Sequence, residues 1–219
     1  MTVYLDFDDV LAETFRTLAE FAALAFGKSP VPGRETHFDL HESLGLGVEE
    51  YAEFMDRFHA EKLLDVDEIP GACETLRGWV RDGIRPVVVT GRPVSAHGPS
   101  AEWLRRRGLG SVEVLHVDKY ARFPDPGAPG VVPFPSLRNF GFGLAVDDAP
   151  AALDALARSG LCPYVAFSRP WNASWSPPSG APAPALHTGN WSEIDALARR
   201  LASSPVQPIQ TTRPLPCAE

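Results

Sequence analysis

The run Asp6-Phe7-Asp8-Asp9-Val10-Leu11 follows the apolar stretch Val3-Tyr4-Leu5 and sets two carboxylates at i and i+2 where a buried strand ends. Strand ends are where open α/β sheets place their chemistry. Asp6 and Asp8 share a face if the strand continues, and a bend into the helix expected over Ala12–Phe26 turns both toward one pocket. Two crowded carboxylates repel and lose hydration, a cost that a cation or a shared proton offsets. Oxygen ligands with no His or Cys close by favour Mg²⁺ over Zn²⁺. The plainer alternative is a helix start capped by Asp8 or Asp9.

Two more segments pair an apolar strand with polar ends. Pro86-Val87-Val88-Val89-Thr90-Gly91-Arg92-Pro93 reads as a buried parallel strand and turn. A hydroxyl and a free glycine N–H at its end can hold phosphoryl oxygens, or the segment is a Thr-Gly strand terminus with no ligand. Phe142–Val146 is again apolar, and Asp147-Asp148-Ala149-Pro150 follows it. Pro150 suits the first turn of a helix over Ala151–Arg158. A cap needs one Asp, so the second asks for another reason.

In this order the segments resemble the motifs of the haloacid dehalogenase-like phosphatase superfamily. Asp6, Asp8, Val10 and Leu11 match Asp-x-Asp-x-(Thr/Val)-(Leu/Val), with Asp9 where Gly is common; Thr90 matches the second motif, and Asp147 and Asp148 the fourth. The resemblance implies Asp6 as nucleophile, forming an aspartyl-phosphate, and Asp8 as general acid and base with a raised pKa. It implies Thr90 and Gly91 on the phosphoryl oxygens, with Arg92 beside them. It further implies Mg²⁺ held by Asp6, the main-chain carbonyl of Asp8 and Asp147, with Asp148 acting through water or orienting the phosphate-binding lysine. Of Lys28, Lys62 and Lys119, only Lys119 lies between the second and fourth motifs, and Arg138 is the alternative cation. An acid at position 8 favours oxygen–phosphorus chemistry, because it has an alkoxide to protonate.

The expected architecture is α/β: a three-layer, Rossmann-like parallel sheet with a small helical cap inserted after the first strand. Strands are expected at Val3–Leu5, Pro86–Val89, Val112–Val117, Phe142–Val146 and Tyr164–Phe167, alternating with helices. Leu76, Trp79 and Val80 form one apolar side of a helix ending before Gly83, Ser100–Arg107 is a helix whose arginines complement its dipole, and Asn190-Trp191-Ser192-Glu193 reads as a capping box opening Trp191–Leu201. About eighty residues separate the first two strands, against the ~10–12 that a crossover needs, so something is inserted. Residues 1–13 and 71–202 make the core and 14–70 the cap, with helices at Ala12–Phe26 and Glu49–Glu61 and a loop-rich Ser29–Gly47 between them. His37, Phe38, Phe54 and His59 are candidates to touch a leaving group, or are cap core. Phe123–Pro135 is expected to be irregular, and 203–219, with four prolines, a disordered tail.

The turn Phe167-Ser168-Arg169-Pro170-Trp171-Asn172 resembles one in the 5′(3′)-deoxyribonucleotidase branch, which implies nucleoside monophosphates as substrates. The alternatives are a phosphatase for a sugar phosphate or biosynthetic intermediate, and a non-catalytic phosphate-ligand-binding protein of the same fold. Trp171, Trp175 and the Pro-rich 177–184 stretch fold over the pocket or decorate its rim. A net charge of −8 argues against a nucleic acid polymer as partner. Three separated cysteines suggest reduced thiols, and a strand starting at Thr2 or Val3 leaves no room for a signal peptide, so the expectation is a cytoplasmic monomer or homodimer off the membrane.

Overall fold

The computed structural model describes residues 1–31, 34, 37–120, 125 and 127–203. Six strands, β1 (Thr2–Leu5), β2 (Arg85–Thr90), β3 (Glu113–His116), β4 (Phe142–Asp147), β5 (Tyr164–Phe167) and β6 (Leu186–Thr188), form one parallel sheet in the order β3-β2-β1-β4-β5-β6. The chain winds outward from β1 through β2 to β3, then returns to β4 on the other side. The strand order reverses beside β1, and such a switch point opens a crevice at the carboxyl ends of the strands. The five expected strands all form. β6 was not expected; its three residues include an exposed His187, too short and too polar to show a period.

Between β1 and the core helix α4 (Ala72–Arg81) lie α1 (Thr14–Phe26), the short α2 (Leu40–Leu44) and α3 (Val48–Glu61). α2 arises inside the stretch expected to be loop, where Asp39 accepts from the amide of His41 and so caps it. Phe21, Phe26, Phe54 and Phe58 pack with ring centroids 5.4–6.3 Å apart inside the helical insertion, in an apolar cluster continuous with one face of the sheet. Its two connections to the core pair with each other: Glu13 N–H donates to Asp67 O (2.9 Å) and Ile69 N–H to Leu11 O (2.8 Å).

On one face of the sheet Val3, Leu5, Leu144 and Val146 pack against α4, α5 (His97–Arg106) and α7 (Trp191–Ser203). On the other, Tyr4, Val87, Val89 and Ala145 pack against α6 (Pro150–Ser159) and the 3₁₀ segment Phe134–Phe140. α5 starts three residues before the expected Ser100, because Pro99 sits in its first turn, where a missing N–H costs nothing. α1 starts later than expected, since the amides of Leu11 and Ala12 both turn back onto Phe7 O. At α7 Asn190 caps Ser192 N (2.8 Å), but its own amide goes to Thr188 Oγ1 rather than to Glu193, so the expected capping box is half formed. The tail beyond Ser203, with Thr36 and part of 123–135, lies outside the described residues.

One expectation fails on α4. Cys73, Leu76 and Trp79 are buried, whereas Val80 is 43% exposed: it lies about 100° round the helix from Trp79, beyond the stripe that meets the sheet. Phe54→Ala should therefore cost about 3–5 kcal/mol by opening a cavity in the insertion, and Val80→Ala less than about 0.5 kcal/mol. Urea denaturation of the two variants checks this; comparable losses would contradict the packing.

Candidate active site

β1 delivers Asp6 to the crevice, and the ladder runs one residue past the strand, with Asp6 N–H donating to Val146 O at 2.9 Å. Tyr4 pairs with Ala145 in the register, so Tyr4 and Asp6 point to the same side as Asp147. The chain then reverses through Asp9, a non-glycine residue at φ 57°, a conformation that costs free energy and that Asp tolerates better than most. Arg169 Nε donates to Asp9 O (2.7 Å), and the Asp9 carboxylate accepts from Phe15 N–H (3.1 Å to each oxygen). Asp9 is thus the helix cap, which leaves Asp6 and Asp8 for other work.

Lys119, buried just after β3, sets its ammonium between Asp6 Oδ1 (2.9 Å) and Asp147 Oδ2 (2.7 Å). Tyr4 OH donates to the same Asp147 oxygen (2.8 Å), and Ala149 N–H to the other (3.1 Å). Asp6 Oδ1 also accepts from Phe7 N–H (2.7 Å), so both donors sit on one oxygen. Asp148 is buried beside them with Oδ2 on Trp171 Nε1 (2.8 Å). Ligand oxygens of Asp6, Asp147 and Asp148 lie within 4.8 Å of one another.

Three buried carboxylates against one ammonium leave two negative charges uncompensated. Burial, then Asp147 and Asp8, raise the Asp6 pKa to about 7 despite Lys119, and burial with Asp6, Asp147 and Asp9 pushes Asp148 well above the usual carboxylate range. Burial alone would lower the lysine; Asp147 and Asp6 outweigh it and keep it charged. An oxygen-only cluster short of two positive charges fits a hard divalent cation.

Asp8 differs from its neighbours. Burial alone would raise its pKa, but Arg92, bound through Nη2 (2.6 Å) and Nε (3.0 Å), and Thr14 Oγ1 (2.6 Å) together hold it low. The expectation of a raised Asp8 is therefore corrected: repulsion from Asp6 is real, but the guanidinium is closer and bidentate. Arg92, expected beside the phosphoryl group, spends its fork on Asp8 and its Nη1 on Ser100.

Above these groups opens a cavity of ≈ 720 Å³ lined by the core and the insertion. Asp6, Asp8, Asp148, Gly91, Arg92 and Phe38 line it among the predicted residues. His37 is exposed and outside it, so its expected role in contacting a leaving group finds no support in this geometry. Phe54 is wholly inside the insertion, while His59 reaches the cavity. Burial and then Arg92 lower the His59 pKa to about 4, so it faces Asp8 as a neutral ring. Thr90 is buried with its Oγ1 accepting Arg92 N–H (3.1 Å). At Gly91 a Cβ would come within 2.6 Å of the Tyr120 ring, so a side chain there would displace the aromatic.

Of the two roles open to Asp148, orienting the lysine goes instead to Asp147 together with Asp6, because Asp147 is the last β4 residue and shares the Tyr4 side of the sheet. Asp148, one residue on, faces the cavity instead. Arg138 is exposed on the Phe134–Phe140 segment, which removes it as the buried cation. Trp171 lines the cavity, whereas Trp175 packs on Tyr164 and donates to Asp154 (3.0 Å), so the segment divides between pocket and rim. Tyr4, Thr14, Phe15 and Tyr120 were not singled out from sequence. Period-two alternation from Asp6 would have found Tyr4, and adjacency to Lys119 would have flagged Tyr120.

No protein-family model matches the sequence, and no curated protein matches it. Solved structures do. A hydrolase from Pseudomonas syringae is 13% identical with a TM-score of 0.57, covering 93% of this chain and 100% of its own. A HAD family hydrolase from Deinococcus radiodurans, with bound phosphate and sodium, is 15% identical (TM-score 0.57; 92% and 96% covered). CbbY from Rhodobacter sphaeroides, in complex with phosphate, is 20% identical (TM-score 0.54; 88% and 95% covered). At these identities the likeness is one of fold: a parallel α/β sheet with helices on both faces. No helix among the described residues is long and apolar enough to cross a membrane.

Carboxylates whose folded pKa is raised stabilise the fold fully below the ordinary value near 3.8 and lose that contribution as pH rises through the folded value, about 7 for Asp6 and about 8 for Asp9. In EDTA the melting temperature should fall between about pH 4 and pH 8, and a divalent cation should restore it most at the alkaline end. Differential scanning fluorimetry at pH 5 and pH 8 decides; a cation-free protein equally stable at both would refute the charge imbalance.

Proposed function

We propose that the protein is a Mg²⁺-dependent phosphomonoester hydrolase working through an aspartyl-phosphate on Asp6. The observation that carries this reading is the buried cluster of Asp6, Asp147 and Asp148 around Lys119, two positive charges short, with Asp6 and Asp148 lining the cavity. Two structures of the same fold hold phosphate. Asp6, Asp148 and the Asp8 main-chain carbonyl would hold Mg²⁺, which would keep Asp6 ionised and neutralise charge on the phosphoryl group.

Asp6 attacks phosphorus, the bond to the leaving oxygen breaks, and water later attacks the same phosphorus to free Asp6 and phosphate. Lys119 stabilises the charge on the equatorial oxygens, with Thr90 and the Gly91 amide beside them. Asp8, ionised on Arg92, is ready to take the proton of the attacking water. To protonate the leaving alkoxide first, it must be released by Arg92, for whose guanidinium an incoming phosphoryl dianion competes, and take up a proton from solvent, which the later attacking water replaces. The helical insertion serves as the cap that closes over this chemistry and keeps water out.

The leaving group meets an aromatic wall. Phe15 lies 5.4 Å and Phe38 6.2 Å from the Trp171 ring, and Phe38 lies 5.6 Å from Tyr120. Leu18, Leu40 and Met55 line the same space. A planar base stacks well here, which supports a nucleoside monophosphate as substrate, whereas a polyhydroxylated sugar would find few hydrogen-bond partners.

Phosphate release should depend on Mg²⁺, stop in EDTA, and fall by orders of magnitude in Asp6→Asn. Retained turnover in that variant would overturn the nucleophile. Phe38→Ala should raise KM for a nucleoside monophosphate about tenfold with a smaller change in kcat, as expected for a lost stacking face. Steady-state kinetics across nucleoside and sugar phosphates measures both; a preference for sugar phosphates would keep the chemistry and replace the substrate.

A further inference from the structure

Asp148 is 1% exposed, lines the cavity floor beside Asp6, and gives its Oδ2 to Trp171 Nε1 at 2.8 Å. The turn that presents the indole is anchored from below. Buried Asn172 donates through Nδ2 to the main-chain oxygens of Asp148 (2.7 Å) and Phe167 (2.7 Å), and its Oδ1 accepts Arg169 N–H (3.0 Å). Both ends of the amide are used, so the turn and the end of β4 are locked at a fixed separation. The terminal torsion of an aspartate is broad and sets its own angle poorly. An indole N–H is a donor with no acceptor character, so it pins one oxygen and leaves the other to a cation.

From this we infer that Trp171 is a positioning residue for the divalent cation: its N–H holds Asp148 Oδ2 so that Oδ1 is offered to the ion shared with Asp6. The inference rests on the cation-dependent reading of the site. Phe15 and Phe38 pack on the same ring, so the insertion braces the side chain that aims the carboxylate. Groups that orient a metal ligand from behind typically change metal affinity by about 10–100-fold when removed.

Trp171→Phe keeps an aromatic wall and deletes the N–H. With Mn²⁺ as probe, the free ion followed by electron paramagnetic resonance without substrate, its dissociation constant should rise about tenfold or more. Trp175→Phe, which removes an indole bonded to Asp154 away from the cavity, should bind Mn²⁺ as the wild type does. In the Asp148→Asn background the Trp171→Phe change should add nothing, a result that a general loss of stability would not produce; additive losses would overturn the inference. Wild-type affinity in Trp171→Phe would also overturn it while leaving the site reading intact. Failure of the wild-type protein itself to bind Mn²⁺ would overturn both.

Discussion

Everything at the end of this sheet turns on one buried ammonium. Lys119 sits between Asp6 and Asp147, with Tyr4 donating to the second carboxylate from beneath. A buried ion pair rarely adds much net stability, since desolvation consumes most of the attraction. Its effect here is on arrangement: one positive charge draws β3, β1 and β4 residues to a single point, yet is too little to satisfy them. The shortfall leaves the floor of the crevice with buried negative charge that this one ammonium does not meet.

Three aspartates within four residues consequently live in three different states. Asp6 is raised by burial among other acids, Asp8 is held low by a bidentate guanidinium, and Asp9 is raised while capping a helix. Sequence neighbours diverge because the backbone turns sharply between them, with Asp9 in a left-handed conformation whose main-chain oxygen Arg169, just beyond β5, holds. Acid and base work needs such separation of similar groups.

Much of this was written in local patterns. β-branched runs and strand-end acids marked the sheet and the carboxylates because periodicity and residue type act over a few residues. The Tyr4–Asp147 bond, 143 residues apart, had no such signal, nor did the choice of Asp147 over Asp148 for the lysine, which depends on where β4 stops. Arg92 was placed by its neighbours Thr90 and Gly91, but that it would take Asp8 depended on two loops meeting. Val80, apolar like its neighbour Trp79, falls just outside the stripe that α4 buries. In each case contacts distant in sequence decided what local chemistry left open.

The paired connections at Leu11–Glu13 and Asp67–Ile69 carry a different implication. Because the strands of this little ribbon enter and leave side by side, the helical insertion is topologically a bead on a closed loop. The core need not notice what is threaded there, provided the two ends meet. Lineages that share such a sheet can therefore exchange whole inserts as interchangeable parts, while the Asp6–Leu11 stretch stays on the frame.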